Sequence, residues 1–248
     1  MDVSLDEATK RIKAGEVGIL PTDTVMGLVC SATDQSAVNR LYSLKARERK
    51  PGTLIGADID QFVSLGIKAR YLRAVEGYWP NAISVVVPCP DADFTYLHQG
   101  KGTLAVRLPR NEKIHALLRK TGPLLTTSAN MPGKPPATTL TRISHFQLAP
   151  DRTCMAANSR SALDVAIATP PSVQEFSLIQ EHSGINLKVR NSCLTEAKEY
   201  FGESVDFYVK PIPGLVQKPS TIIRIVDDSV EVLREGVVKI NKETGEIQ

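Results

Sequence analysis

Pro21-Thr22-Asp23-Thr24 sets two hydroxyls and a carboxylate between the apolar runs Gly18-Ile19-Leu20 and Val25-Met26-Gly27-Leu28-Val29. Such residues interrupt a buried strand, and they suit a polar turn or a shelf for a ligand. Further on, Arg40, Lys45, Arg47, Arg49 and Lys50 put five cations into eleven residues, opposed only by Glu48. One reading is a solvated helix end, where cations answer the macrodipole. The other is phosphate binding. Lys45 and Arg47 combine a compact ammonium with a planar guanidinium, which suits a polyphosphate, and Pro51-Gly52 lets backbone approach a ligand closely. Thr126-Thr127-Ser128-Ala129-Asn130 brings hydroxyls and an amide to the end of a strand, where an open α/β sheet offers them to a ligand; a turn satisfying its own backbone is the alternative. Arg107 closes the apolar stretch Thr103-Leu104-Ala105-Val106, either as a surface terminus or as an anchor for a carboxylate. Lys218-Pro219-Ser220-Thr221 and Leu233-Arg234-Glu235-Gly236 carry the same ambiguity.

Other patterns carry no chemistry. Gly100-Lys101-Gly102-Thr103-Leu104-Ala105 fits the loose dinucleotide-binding spacing but leads into a strand instead of opening a helix. Gly133-Lys134 lacks the upstream glycine of a Walker loop. His98, His115, His145 and His182 lie far apart, and none stands at zinc-ligand spacing from a cysteine. There is no G-x-S-x-G elbow and no nucleophile triad. The chemistry therefore rests on cations and hydroxyls, without a covalent nucleophile.

The elements that must position these groups follow from pattern and caps. Ser4-Leu5-Asp6-Glu7 has the form of a capping box and Gly15 suits a helix end, which predicts a helix over 5–14 and a strand near 17–20. Asp34 caps a second helix with Val38, Leu41 and Leu44 on one face, and Asn111 caps a third carrying Ile114, Leu117 and Leu118 up to Gly122-Pro123. Strands are predicted at 53–55, 83–87, 104–106, 124–127, 205–209, 220–226 and 230–234. Alternating strands and helices with a late hairpin predict an α/β fold, a twisted mixed sheet flanked by helices. Periodicity is poor over 142–195, which includes Pro170-Pro171. Joining "PATTLT" directly to "EAKEYFGESVDFYV" makes a natural loop-to-helix junction, so this segment reads as a surface-loop insertion in a single domain spanning 1–248.

Bulk properties exclude some classes. The chain has 248 residues, of which 42% are apolar and 23% charged, as in an ordinary globule. No stretch approaches the roughly 20 apolar residues of a membrane span, and the charged amphipathic N-terminus is unlike a signal peptide. A net charge of +3 says little about nucleic acid, so any basic patch is local. Cys30, Cys89, Cys154 and Cys193 share no close spacing, which predicts a reduced, cytoplasmic protein without a disulfide framework or zinc knuckle.

Six stretches then fall into one order: "LPTDTVMGL", "LKARERKPGT", "TLAVRLP", "TTSANMPGKPPATT", "KPSTII" and "VLREGVV". In that order the sequence resembles the YrdC-like threonylcarbamoyl-adenylate synthases in their short, single-domain form, over roughly residues 3–141 and 195–238. The resemblance implies a twisted mixed sheet with a deep cationic concave face. It implies joining of L-threonine, bicarbonate and ATP into threonylcarbamoyl-AMP with release of pyrophosphate. ATP is a substrate and Mg²⁺ enters on its phosphates, with no metal ligand assigned to the protein. Downstream partners are a threonylcarbamoyl transferase and tRNA, with direct RNA binding open.

Residue by residue, the resemblance places Thr22, Thr24, Arg107 and Ser220 on threonine, with Arg107 on its carboxylate. Lys45, Arg47 and Lys50 fall on the ATP phosphates, with Lys45 and Arg47 as the catalytic pair neutralising the departing pyrophosphate. Thr103, Ser128, Asn130 and Arg234 complete the nucleotide site. The sequence also departs from the family. Met26 replaces the usual tyrosine, which loosens the pocket wall in this reading, and Gly56 stands where some members carry a ligand-contacting histidine. The basic loop is about one residue short, Gly-Pro is missing after Trp79-Pro80, and Pro132 replaces the serine after "SAN". Two alternatives remain: a non-catalytic RNA-binding paralogue, and a domain that adenylates a carbamoyl group.

Overall fold

The computed structural model describes residues 1–45, 50–130, 192–210, 218–227 and 229–248. The chain divides into two units, Met1–Thr138 with Cys193–Gln248, and Thr139–Ser192. The first unit carries the sheet. The expected insertion lies outside the described residues up to 191, and from Ser192 the chain is already helical.

Strand β1 (Asp2–Val3) leads into helix α1 (Leu5–Lys13), whose cap is the one its sequence predicts: the Ser4 hydroxyl accepts from Glu7 N at 3.2 Å. The chain then forms β2 (Gly18–Pro21), β3 (Met26–Ser31) and α2 (Gln35–Leu44), with Asp34 capping α2 through Ala37 N at 3.0 Å. After β4 (Thr53–Ile55) come the short helices α3 (Ile59–Val63) and α4 (Ala69–Arg73), strand β5 (Ile83–Pro88) and helix α5 (Thr95–His98). No sequence expectation covers α3, α4 and α5, because one helical turn shows no hydrophobic period. Strand β6 (Thr103–Arg107), helix α6 (Glu112–Thr121) and strand β7 (Leu124–Ser128) follow, with Asn111 capping α6. The last elements are α7 (Ser192–Phe201), β8 (Phe207–Val209), β9 (Thr221–Val226) and β10 (Ser229–Arg234).

Among the described residues the ten strands form one sheet in the order β1-β8-β2-β3-β7-β4-β6-β5-β9-β10. The pairs β1–β8, β2–β8, β4–β6 and β5–β9 are parallel and the others antiparallel, so the sheet is mixed as predicted. Alternation along each strand divides the side chains between two faces. Leu28, Cys30, Leu54 and Leu125 enter one core with Val38 and Leu41 of α2, Phe62 of α3, and Ala197 and Phe201 of α7. Their neighbours Val29, Ile55 and Leu124 enter a second core with Ala8 and Ile12 of α1 and Ile114, Leu117 and Leu118 of α6.

This second face changes character along its length. Ile55 pairs with Leu124 and with Arg107, Thr53 pairs with Thr126, and Ser128 pairs with Gly27. Directly paired residues point to the same side, so the apolar patch under α1 and α6 continues into Thr53, Thr126, Ser128 and Arg107. The site lies on that polar continuation.

Candidate functional site

The turn between β2 and β3 folds over the sheet. Its Thr22 hydroxyl donates to the Val25 carbonyl at 2.7 Å, so the 3.0 Å bond to the Thr24 hydroxyl has Thr24 as donor. Thr24 Oγ1 in turn lies 3.4 Å from Arg107 Nη1. Protons thus run in one direction, from Arg107 to Thr24 to Thr22 to the Val25 carbonyl. Asp23 faces the guanidinium from the other side, with Oδ1 3.1 Å from Arg107 Nη2 and Oδ2 3.4 Å from Arg110 N. Both side chains of this pair are buried, at 4% and 6% exposure. The Asp23 Oδ1 contact is close but poorly aligned, so neither that oxygen nor Arg107 Nε has a good hydrogen-bond partner among the described residues.

A cavity of about 200 Å³ opens here, walled by Thr22, Thr24, Gly27, Thr53, Arg107 and Thr126, and further round by Ser128, Ser220 and Arg234. Arg107, Ser128 and Arg234 close their strands, whereas Thr53 opens one, so in a mixed sheet the cavity sits over the face instead of along one row of carboxyl ends. Gly27 makes the cavity possible. A Cβ there would meet Thr126 Oγ1 at 2.6 Å and the Thr22 methyl at 3.1 Å.

The predicted residues fall into groups. Thr22, Thr24, Arg107, Ser128, Ser220 and Arg234 line the cavity together. Arg234 donates from Nε and Nη2 to the Ser220 carbonyl at 3.1 and 2.8 Å, and from Nη2 to the Ser220 hydroxyl at 3.1 Å. The Ser220 hydroxyl also bonds the buried Ser84 hydroxyl at 3.0 Å. Lys45 stands behind this wall. Its buried ammonium donates to the Ser128 carbonyl at 2.8 Å, to the Asn130 carbonyl, and to Asn130 Oδ1 at 3.2 Å. Ser128 Oγ donates to the same Asn130 oxygen at 2.5 Å, so Lys45 and Asn130 brace the turn that follows β7. Lys50 is exposed beside the lining residue Pro51, and Arg47 lies outside the described residues. Thr103 shares the face of Arg107 but pairs with Pro88 at the far end of β6, away from the cavity wall.

Packing decides three positions near the wall. Met26 does not loosen it, because alternation turns Met26 into the core on the opposite face and leaves Gly27 at the wall. At Gly56 the Phe62 ring stands 2.9 Å from where a Cβ would lie, so an aromatic ring fills the space that a histidine at position 56 would need. Gly52 lines the cavity, but its missing side chain is demanded by the Thr126 carbonyl, 2.8 Å from a built Cβ. Thr53 and Gly27 were not singled out from sequence, and Thr126 was named only as part of the run up to Asn130. The signal was present in the strand period, which puts Thr53 and Thr126 opposite the inward Leu54 and Leu125. Cys30 and Cys89 are no alternative nucleophiles: burial pushes both thiols up, Cys89 to about 11.

Fold and site together define an α/β domain with a small polar cavity over one face of a mixed sheet. The Sua5–YciO–YrdC family model, described as telomere recombination, matches residues 10–158. The threonylcarbamoyl-AMP synthase of Idiomarina loihiensis is 35% identical over 144 residues, covering 56% of this chain and 77% of that protein. The Bacillus subtilis threonylcarbamoyl-AMP synthase is 33% identical over 149 residues, covering 58% of this chain and only 43% of that longer protein. Among solved structures, P. abyssi Sua5 complexed with L-threonine superposes with a TM-score of 0.65 at 20% identity, over 96% of this chain and 57% of that one. E. coli YciO gives 0.60 at 19% identity, over 96% and 94%. The chain belongs to the Sua5–YciO–YrdC family.

Proposed function

We propose that this protein joins L-threonine, bicarbonate and ATP into threonylcarbamoyl-AMP, releasing pyrophosphate. The observation that carries the reading is a buried guanidinium, Arg107, opening into a polar cavity that also holds Ser128 and Arg234. In this reading Arg107 takes the threonine carboxylate, with Thr22, Thr24 and Ser220 around the rest of the amino acid. Ser128, Asn130 and Arg234 hold the nucleotide, with Thr103 further along the same face. Arg47 and Lys50 face the phosphates across a cationic concave surface, while Lys45, expected beside them, instead holds the Ser128 and Asn130 oxygens that shape the turn after β7. Support comes from the named relatives, two of which are threonylcarbamoyl-AMP synthases, and from the P. abyssi protein complexed with L-threonine.

The chemistry needs placement more than a nucleophile. Bicarbonate takes up a proton and loses water to give carbon dioxide. The neutral threonine amine attacks its carbon, one C=O electron pair moves onto oxygen, and the surplus N–H proton leaves to solvent, giving the carbamate. A carbamate oxygen then forms a bond to the α-phosphorus while the bond to the β-phosphate oxygen breaks, and pyrophosphate leaves with the electron pair. Fixed cations at the leaving group and donors at the amino acid supply the electrostatic part. Donors around the cavity are hydroxyls, backbone and cations, and no cluster of three or more His, Cys, Asp or Glu side chains occurs among the described residues. That set fits an anionic ligand, so Mg²⁺ would come bound to the phosphates of ATP and offset their charge. The product would pass to a threonylcarbamoyl transferase acting on tRNA.

The test is pyrophosphate release from threonine, bicarbonate, Mg²⁺ and ATP. Release that requires both threonine and bicarbonate is the expected result. Release with carbamoyl phosphate in their place would assign the carbamoyl-adenylating reaction instead. Salt-sensitive RNA binding without any release would make the protein a binding module.

A further inference from the structure

We infer that Asp23 is a positioning residue for ligand recognition, aiming the Arg107 guanidinium at a carboxylate in the cavity. The inference rests on the proposed function for the identity of that ligand. Asp23 does not line the cavity itself, whereas Arg107 and both neighbouring threonines do. Its carboxylate stands 3.1 Å from Arg107 Nη2, across the guanidinium from the Thr24 hydroxyl, and the Arg110 N–H holds its other oxygen at 3.4 Å.

The quality of this pair argues for function over stability. A buried ion pair offsets its desolvation only when its remaining donors and acceptors are satisfied. Here Asp23 Oδ1 and Arg107 Nε are both buried without a well-aligned partner among the described residues. A pair kept only for folding would be better replaced by apolar side chains. A pair that keeps a guanidinium charged, desolvated and fixed beside a cavity does something an apolar pair cannot. The β2–β3 turn thus serves twice: its two threonines wall the cavity while the residue between them points behind it.

The experiment compares wild type, Asp23→Asn, Arg107→Lys and the double variant. L-threonine binding is measured by calorimetry, and steady-state constants come from the pyrophosphate assay. Asparagine keeps the shape of Asp23 and removes its charge. Asp23→Asn is expected to weaken threonine binding at least tenfold and to raise the threonine KM by a similar factor. kcat at saturating threonine should stay within threefold, and the ATP KM should not move. In the Arg107→Lys background, which has no planar fork to aim, Asp23→Asn should cost less than threefold more. A general packing defect would instead lower kcat and raise both KM values together. That pattern, unchanged threonine binding in Asp23→Asn, or fully additive losses in the double variant would each overturn the inference. If wild type binds threonine yet releases no pyrophosphate, the proposed reaction fails while the binding cycle still decides the role of Asp23. If wild type binds no threonine, both fall.

Discussion

Arg107 shows how much one side chain depends on its surroundings. Removing it leaves the Asp23 carboxylate buried without its cation, and breaking such a pair costs on the order of 3–5 kcal/mol. Arg107→Ala should therefore unfold at clearly lower denaturant than wild type, and should also need far more threonine for pyrophosphate release. Arg107→Ala combined with Asp23→Ala should recover part of the lost stability but none of the threonine binding. Gly27 gives a simpler case. A methyl group at that position collides with Thr126 Oγ1, and overpacking of this kind costs about 1–3 kcal/mol. Gly27→Ala is expected to lower stability in that range and to narrow the cavity, read as weaker threonine binding; unchanged binding would show that the wall relaxes elsewhere. At this scale the sequence was legible wherever residue type alone broke a pattern. Two threonines and an aspartate inside an apolar run announced a special turn. The pairing of that turn with Arg107 was not legible, because Thr24 and Arg107 lie 83 residues apart and nothing local links them.

Elements are fixed by a few polar clamps as well as by their apolar faces. Asp206, just before β8, is the largest of these. Its carboxylate accepts from Val17 N at 2.8 Å and from Arg40 Nη1 of α2 at 2.5 Å, while its carbonyl accepts from Arg11 Nη1 of α1 at 2.8 Å. Burial pushes the Asp206 carboxyl up, but the Arg40 guanidinium and the Val17 N–H outweigh it and hold the group below its ordinary 3.8. The folded state therefore favours the charged form. Its contribution is complete above the unfolded value and disappears as pH falls through the lower folded one. Asp206→Asn should cost about 1–3 kcal/mol at pH 7, and urea unfolding at a series of pH values should show that cost shrinking as pH falls below the ordinary carboxyl value of 3.8. A second clamp is the Tyr42 hydroxyl, which donates to the Leu97 carbonyl at 2.7 Å and accepts from Gly52 N at 3.1 Å, tying α2 and α5 to the entry of β4. Caps and long periods made α1, α2 and α6 readable from sequence, down to Ser4, Asp34 and Asn111. The clamps were not readable, since Asp206 and Tyr42 look like ordinary surface and core residues until tertiary structure joins them.

For the whole molecule, both apolar cores are built from elements of the first unit, among the described residues. The last four residues of the expected 142–195 insertion belong to α7, whose Leu194 enters the first core, so the deletion that tests it is shorter. Removing 142–191, so that α7 keeps its start at Ser192, should leave a cooperative thermal transition and, under the proposed function, threonine-dependent pyrophosphate release. Loss of the transition would place that segment in the folding core. No helix among the described residues is long and apolar enough to cross a membrane.

The strand order has a consequence for how this protein is made. The family match ends at residue 158, yet β8 wedges between β1 and β2, and β9 completes the flank of β5. Until those late segments leave the ribosome, β2 and β5 present raw hydrogen-bonding margins, which invite pairing with other chains. A nascent polypeptide stalled at 158 should therefore clump instead of maturing, and β8 and β9 act as the stitches that close the sheet.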